Sequence, residues 1–324
     1  MRQAMAEAPV GDDVFDEDPS VHALQDKAAQ MAGHEAGLFV PSGTMGNQIA
    51  LLSHCRPGDD VLVGAGAHTC LYEAGGGAAL AGVQFSVIGT GGHFSADEVR
   101  AAVKTTDDAG HIPPTTLVSV ENTHNRGGGM VMPPAILAEI AAVARERGVA
   151  VHIDGARLFN AAAACGVGIE AWSRHADTVT FCLSKGLGAP VGSVLCGSKA
   201  IINRAHRYRK MLGGGMRQAG IIAAGGLYAL EHNVDALVLD HVRARRLATA
   251  LSAMAGVSLE VARVESNIVI FHVVGQTPAD ACAAVADDVL VLPYGPRRIR
   301  AVLHRDISDA DVERAISALG RVLG

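Results

Sequence analysis

The chain has 324 residues, enough for one large domain and a smaller one. Its apolar share is 49%, its net charge is −6 and no dense basic block occurs, so nucleic-acid and anionic-membrane binding receive no support. No run of apolar residues is long enough for a membrane span, and the opening MRQAMAEAPV lacks the apolar stretch of a signal peptide, so a soluble, cytoplasmic protein is expected.

In PSVHALQDKAAQMAG, residues 19–33, Val21, Leu24, Ala28 and Met31 share one helical face and Gly33 supplies the stop. AGLFVP reads as a short strand, and GTMGNQIALLSHC begins the next helix. DDVLVG, VQFSVIG and TTLVSVEN are further strands. PPAILAEIAAVARERG is a helix with prolines at its start and Gly148 at its end. It leads into VAVHIDGAR, a β-rich run. TVTFCL follows as another strand, with Lys185 just beyond it and before a glycine-rich loop. This alternation predicts an α/β fold, a mostly parallel sheet covered by helices. From about residue 235 the pattern changes to a helix HVRARRLATALSAM, strands VSLEVA, SNIVIFHVV and RIRAVLH, and a last helix whose Ser308 and Asp311 match a capping box. That is a compact α+β C-terminal unit.

The six cysteines contain no CxxC pair, which argues against a zinc knuckle or redox dithiol, and Cys182 and Cys196 read as reduced core thiols. No HExxH or other metal box occurs among the histidines, so no metal site is expected. Neither a Walker loop nor an opening GxGxxG is present.

A lone strand-end lysine more often sends its ammonium group to solvent along an apolar stem. Apolar surroundings disfavour the cation, however, and a neutral amine can attack a carbonyl to form a Schiff base. The company of Lys185 favours the second use. Asp154 ends the run VHID, where open α/β sheets bind ligands; it suits a pyridine nitrogen that must stay protonated, or it caps a helix. Arg157 offers a bidentate donor for a substrate carboxylate, or a surface ion pair. Ser42, Gly43 and Thr44 open a helix whose free N–H groups form an anion site, although the same triplet is a good turn and N-cap. His68 follows a strand and could stack on a cofactor ring, hydrogen-bond to substrate or move protons; His124 ends the strand TLVSV in ENTHN. An anion-binding helix start, a histidine, a strand-end Asp and a strand-end Lys together match the needs of a pyridoxal 5'-phosphate (PLP) enzyme.

These stretches resemble the L-threonine aldolase family of PLP enzymes, of the low-specificity type, within the β-eliminating lyase group. The resemblance runs from PVGDDVFDEDPSVHALQD through FVPSGTMGNQIALLSHC, AHTCLYEAGG, ENTHN, HIDGARLFNA and CLSKGLGAPVGS to RKMLGGGMRQAG, most of residues 9–230. It implies an aspartate-aminotransferase-like fold, with a large PLP-binding domain of a seven-stranded type at residues 1–232 and a small α+β domain at 233–324. Lys185 would be the Schiff-base lysine, Asp154 the partner of the pyridine nitrogen and His68 the group stacked on the ring. Gly43 and Thr44 would bind the phosphate. Arg157 and Arg300 would act near the substrate carboxylate and the cofactor's phenolic oxygen, with His124 near the substrate hydroxyl. Lys210 and Arg217 would reach a neighbouring subunit's site, implying a homodimer at least and commonly a homotetramer.

Members of that family begin with a segment carrying an Arg-Ser-Asp-Thr-like motif that helps to bind the substrate carboxylate. Here the chain opens at MRQAMAEAPVGDD, so either the start is displaced or that contact is missing. The implied reaction is retro-aldol cleavage of threonine to glycine and acetaldehyde, with His68, His124 or a water held by them and Glu73 as the base. β-Elimination or transamination on the same scaffold, and a non-catalytic PLP-binding protein, are the rival readings.

Overall fold

The computed structural model describes residues 1–106 and 108–324. Seven strands form the large sheet: β1 (Ala36–Val40), β2 (Asp60–Gly64), β3 (Gln84–Ile88), β4 (Thr115–Glu121), β5 (Ala150–Asp154), β6 (Thr178–Cys182) and β7 (Ser193–Gly197). Their order is β1-β7-β6-β5-β4-β2-β3. Strand β7 runs antiparallel to both of its neighbours, and the other pairings are parallel. The reason is local. Residues 183–192 between β6 and β7 are fewer than the dozen or so that a parallel crossover needs, so the chain returns antiparallel.

The helices that the sequence predicts around this sheet are present, each with a visible boundary. Asp18 caps the helix Pro19–Ala32 by accepting the Ser20 and Val21 N–H groups at 3.0 and 3.1 Å, and Gly33 ends it at φ 66°, a conformation that costs glycine little. The same Asp18 accepts the Gly220 N–H at 2.8 Å, tying this helix to a later one, Gly220–His232. That helix and Lys199–Met211 are not among the elements read from the sequence. The first is apolar nearly all round, because it is packed against Pro19–Ala32 rather than facing water. Trp172, with no exposed surface, sits in the main core and donates its indole N–H to the Met132 carbonyl at 2.6 Å. Cys182 and Cys196 are buried free thiols.

The second sheet is antiparallel, ordered β10-β11-β9-β8, from β8 (Val257–Ser258), β9 (Ile268–Val273), β10 (Leu292–Pro293) and β11 (Arg298–Val302). It carries its own core of Phe271, Ile299, Leu319 and neighbours. The run VSLEVA corrects an expectation: only Val257–Ser258 pairs, and Val261–Arg263 is a 3₁₀ turn. Leu259 and Val261 pack only on the rim of the small core, so burial does not hold that run in the sheet. The closing helix Asp309–Leu323 has its capping box, with the Ser308 hydroxyl and the Asp311 carboxylate each receiving the other's N–H. No helix among the described residues is long and apolar enough to cross a membrane.

Candidate active site

In the parallel register, Glu121 of β4 lies opposite Asp154 of β5, and Asp154 lies opposite Thr180 of β6. Glu121 and Asp154 therefore end adjacent strands at the carboxyl edge of the sheet, beside Thr180 in the middle of β6, where an α/β fold leaves its ligand crevice. A cavity of about 210 Å³ opens there. His68, Glu121, Asn125, Asp154, Arg157, Lys185 and Arg300 line it.

Lys185 sits half-buried in the turn after β6. The turn is pinned on both sides of the lysine: Leu183 donates its N–H to the Gly192 carbonyl at 2.9 Å, and Asn233 donates its side-chain N–H to the Leu187 carbonyl at 2.7 Å. Gly188 adopts φ +74°, and a Cβ there would meet the Arg305 side chain at 2.4 Å, so the chain turns sharply where only glycine fits.

Asp154 is buried, and its Oδ1 accepts the Ala156 N–H at 3.2 Å. Burial pushes its carboxyl above the ordinary range, and the nearby Glu73 carboxylate pushes in the same direction. Glu121 accepts two main-chain N–H groups, from His68 at 2.7 Å through Oε2 and from Asn125 at 2.8 Å through Oε1. Its carboxyl is nevertheless raised to about 7, first by burial and then by Asp154. Ligand atoms of His68, Glu73 and Asp154 lie within 4.8 Å of one another. Glu73 has no exposed side-chain surface and accepts from Asn47 at 2.8 Å and Gln48 at 2.7 Å; His68 Nδ1 is 3.1 Å from it. The bond to Glu73 raises the His68 pKa against the opposing effect of burial.

The helix Gly43–His54 starts beside this edge. The Ser42 hydroxyl accepts the Met45 N–H at 3.1 Å and the Ser42 carbonyl accepts the Gly46 N–H, so Gly43 and Thr44 keep their first-turn N–H groups for an outside acceptor. A Cβ on Gly43 would fall 2.8 Å from Cys182 Sγ, and one on Gly46 2.6 Å from Thr180 Cγ2. Glycine at both positions lets the helix start sit directly on the ends of β6 and β7. Buried there without partners are Thr180 Oγ1 and Ser193 Oγ.

The family model described as beta-eliminating lyase matches residues 1–274. The chain belongs to the beta-eliminating lyase family. It is 45% identical to the low specificity L-threonine aldolase of Escherichia coli (strain K12), over 95% of this chain and 90% of that relative. It is 39% identical to low-specificity L-threonine aldolase 1 of Arabidopsis thaliana, over 100% of this chain and 92% of the relative. Among solved structures, the threonine aldolase of Leishmania major superposes with a TM-score of 0.82, covering 100% of this chain and 94% of that one at 19% identity. At that identity the likeness is one of fold, and it bears out the expected aminotransferase-like architecture.

The cofactor of this lyase is PLP, and its residues fit the group. Asp154 is a buried carboxylate short of a positive charge, which a protonated ring nitrogen supplies. The Gly43–Thr44 helix start, flanked by unpartnered hydroxyls, suits a phosphate.

The remaining candidates lie outside the small cavity. His124 is buried, with Nδ1 accepting the Gly127 N–H at 2.9 Å and Nε2 3.7 Å from Glu121, and it lines an adjacent cavity of about 630 Å³ with Arg126 and Met130. Burial lowers its pKa to about 4. Lys210 is exposed at the end of its helix, and Arg217 pairs with Asp12 at 2.8 Å; neither faces the Lys185 cavity of its own chain. Glu121, Thr123 and Asn125 are cavity residues that the sequence reading passed over. All three stand in ENTHN beside the histidine that drew notice, so the signal was a polar run at a strand end.

Proposed function

We propose that this lyase cleaves L-threonine, L-allo-threonine and other β-hydroxy-α-amino acids to glycine and an aldehyde by retro-aldol Cα–Cβ cleavage. The observation that carries this is the near-full-length likeness to low-specificity L-threonine aldolases, joined to a cavity where Lys185, Asp154 and His68 meet. Bound PLP supplies an electron sink for the carbanion left at Cα.

Lys185 holds the cofactor through its amine. Asp154 keeps the proton on the ring nitrogen, and its burial makes that charge pairing strong. Gly43 and Thr44, with Ser42 as cap, bind the phosphate through main-chain N–H groups. Arg157 and Arg300 orient the substrate through its carboxylate. His68 covers the ring. Glu73 occupies its Nδ1, which leaves Nε2 to take the β-hydroxyl proton. His124 carries its proton on Nε2, because Nδ1 accepts from Gly127, and from outside the cavity that N–H faces Glu121 at 3.7 Å rather than the substrate.

Residues 1–232 form the cofactor domain and 233–324 the small domain in this reading. Lys210 and Arg217, outward-facing, complete a neighbouring subunit's site in a homotetramer, and the enzyme works in the cytoplasm. The test is acetaldehyde release from L-threonine by the purified chain with added PLP. Pyruvate and ammonia, or a keto acid, in place of acetaldehyde would mean β-elimination or transamination instead.

A further inference from the structure

Arg157 and Arg300 come from different sheets: the first follows β5, and the second lies on β11. Like charges repel across a low-dielectric site, and each guanidinium also loses water on burial. Arg157 shows both effects: burial and then Arg300 lower its pKa to about 10. The Nε atoms of both arginines are buried without a partner. What joins them is one neutral oxygen. Asn125 Oδ1 accepts from Arg300 at 2.8 Å and lies 3.5 Å from the Arg157 Nη1 donor. Two converging donors require the amide oxygen, not its nitrogen, on that side. The Asn125 main chain is fixed in turn, since its N–H reaches Glu121, which also holds the His68 N–H.

We propose that Asn125 is a positioning residue for the substrate's carboxylate: its neutral oxygen sets the two guanidiniums in register while leaving both short of an anion. This rests on Arg157 and Arg300 receiving that carboxylate. An aspartate at 125 would present nearly the same shape with a full negative charge. It would satisfy the arginines internally and compete with every amino-acid ligand. An alanine would remove the shared acceptor and let the two cations separate.

Glycine, which keeps the α-carboxylate but has no β-carbon to cleave, is the probe. Calorimetry on the PLP-loaded enzyme is expected to show glycine binding weakened about 10- to 100-fold in Asn125→Asp, the range of a lost charge-assisted pair. The KM for L-threonine should rise in step while kcat changes less, and the melting temperature should hold or increase, because the new charge relieves repulsion. Asn125→Ala is expected to weaken glycine several-fold, and it decides the matter if the aspartate variant does not fold. Arg300→Ala serves as the control. If it weakens glycine while both Asn125 variants bind it like the parent, Asn125 has no positioning role. If Arg300→Ala also binds glycine normally, the arginines do not receive the carboxylate, and both inferences fall.

Discussion

His68 directs Nδ1 to Glu73 Oε1 across 3.1 Å, and that carboxylate is itself held by the side chains of Asn47 and Gln48. Because the bond to Glu73 is the main cause of the raised His68 pKa, removing the charge should lower it. A raised folded pKa means that the pair's stabilisation is full below the ordinary value of 6.5 and fades as pH rises through the raised one. Glu73→Gln should therefore move the His68 ring titration to lower pH and remove that fade. Ring proton resonances followed against pH would show it; an unmoved titration would mean that Glu73 does not set the imidazole's charge.

Lys185 and Asp154 meet at one cavity from different strand ends, and their roles separate by spectrum. Lys185→Ala should abolish the absorbance of lysine-linked cofactor. Asp154→Ala should keep PLP bound while turnover falls about 100- to 1000-fold, the usual scale for losing a preorganised charge. Near-normal turnover in the second variant would remove Asp154 from the chemistry.

His152 and His54 share the Thr178 hydroxyl, each with a ring nitrogen 2.9 Å from it. Burial lowers their pKa values to about 3 and about 4. The unfolded chain takes up protons below 6.5 while the folded one does not, so stability is present above that value and is lost as pH falls toward the folded values. Each ring should contribute about 1.4 kcal/mol per pH unit inside the window. His152→Gln should flatten the acid side of the stability curve by one proton, as read from denaturant melts at several pH values. An equally steep curve would mean that His152 is not a buried neutral ring.

Gly46 lies against Thr180, where an added Cβ would sit 2.6 Å from Cγ2 and 3.1 Å from Oγ1. Gly46→Ala should cost about 1–3 kcal/mol by overpacking and weaken PLP by displacing the helix start. Adding Thr180→Ser removes the clashing methyl and should restore much of both. Failure of that rescue in a PLP titration would locate the effect elsewhere.

Lys185, Asp154 and His68 are legible in the sequence because each follows a short apolar run and precedes glycine or a turn. A buried strand must end where polar atoms can be satisfied, so charged residues at those ends stand out. Glu121 has the same placement yet reads as an ordinary end of β4. Its use depends on the register that sets it opposite Asp154 and on the fold that brings the His68 N–H to it across 53 positions.

The sequence by itself determined the alternating elements, the capping box at Ser308, the glycine stops and the set of polar strand ends, because these follow from local periodicity and backbone chemistry. Only the tertiary structure decided the direction of β7, the early end of β8, the separation of His124 from the Lys185 cavity and the junction of Arg157 with Arg300 at Asn125. Those are contacts between residues far apart in the chain, set by how the sheets pack and pair, and local patterns carry no record of them.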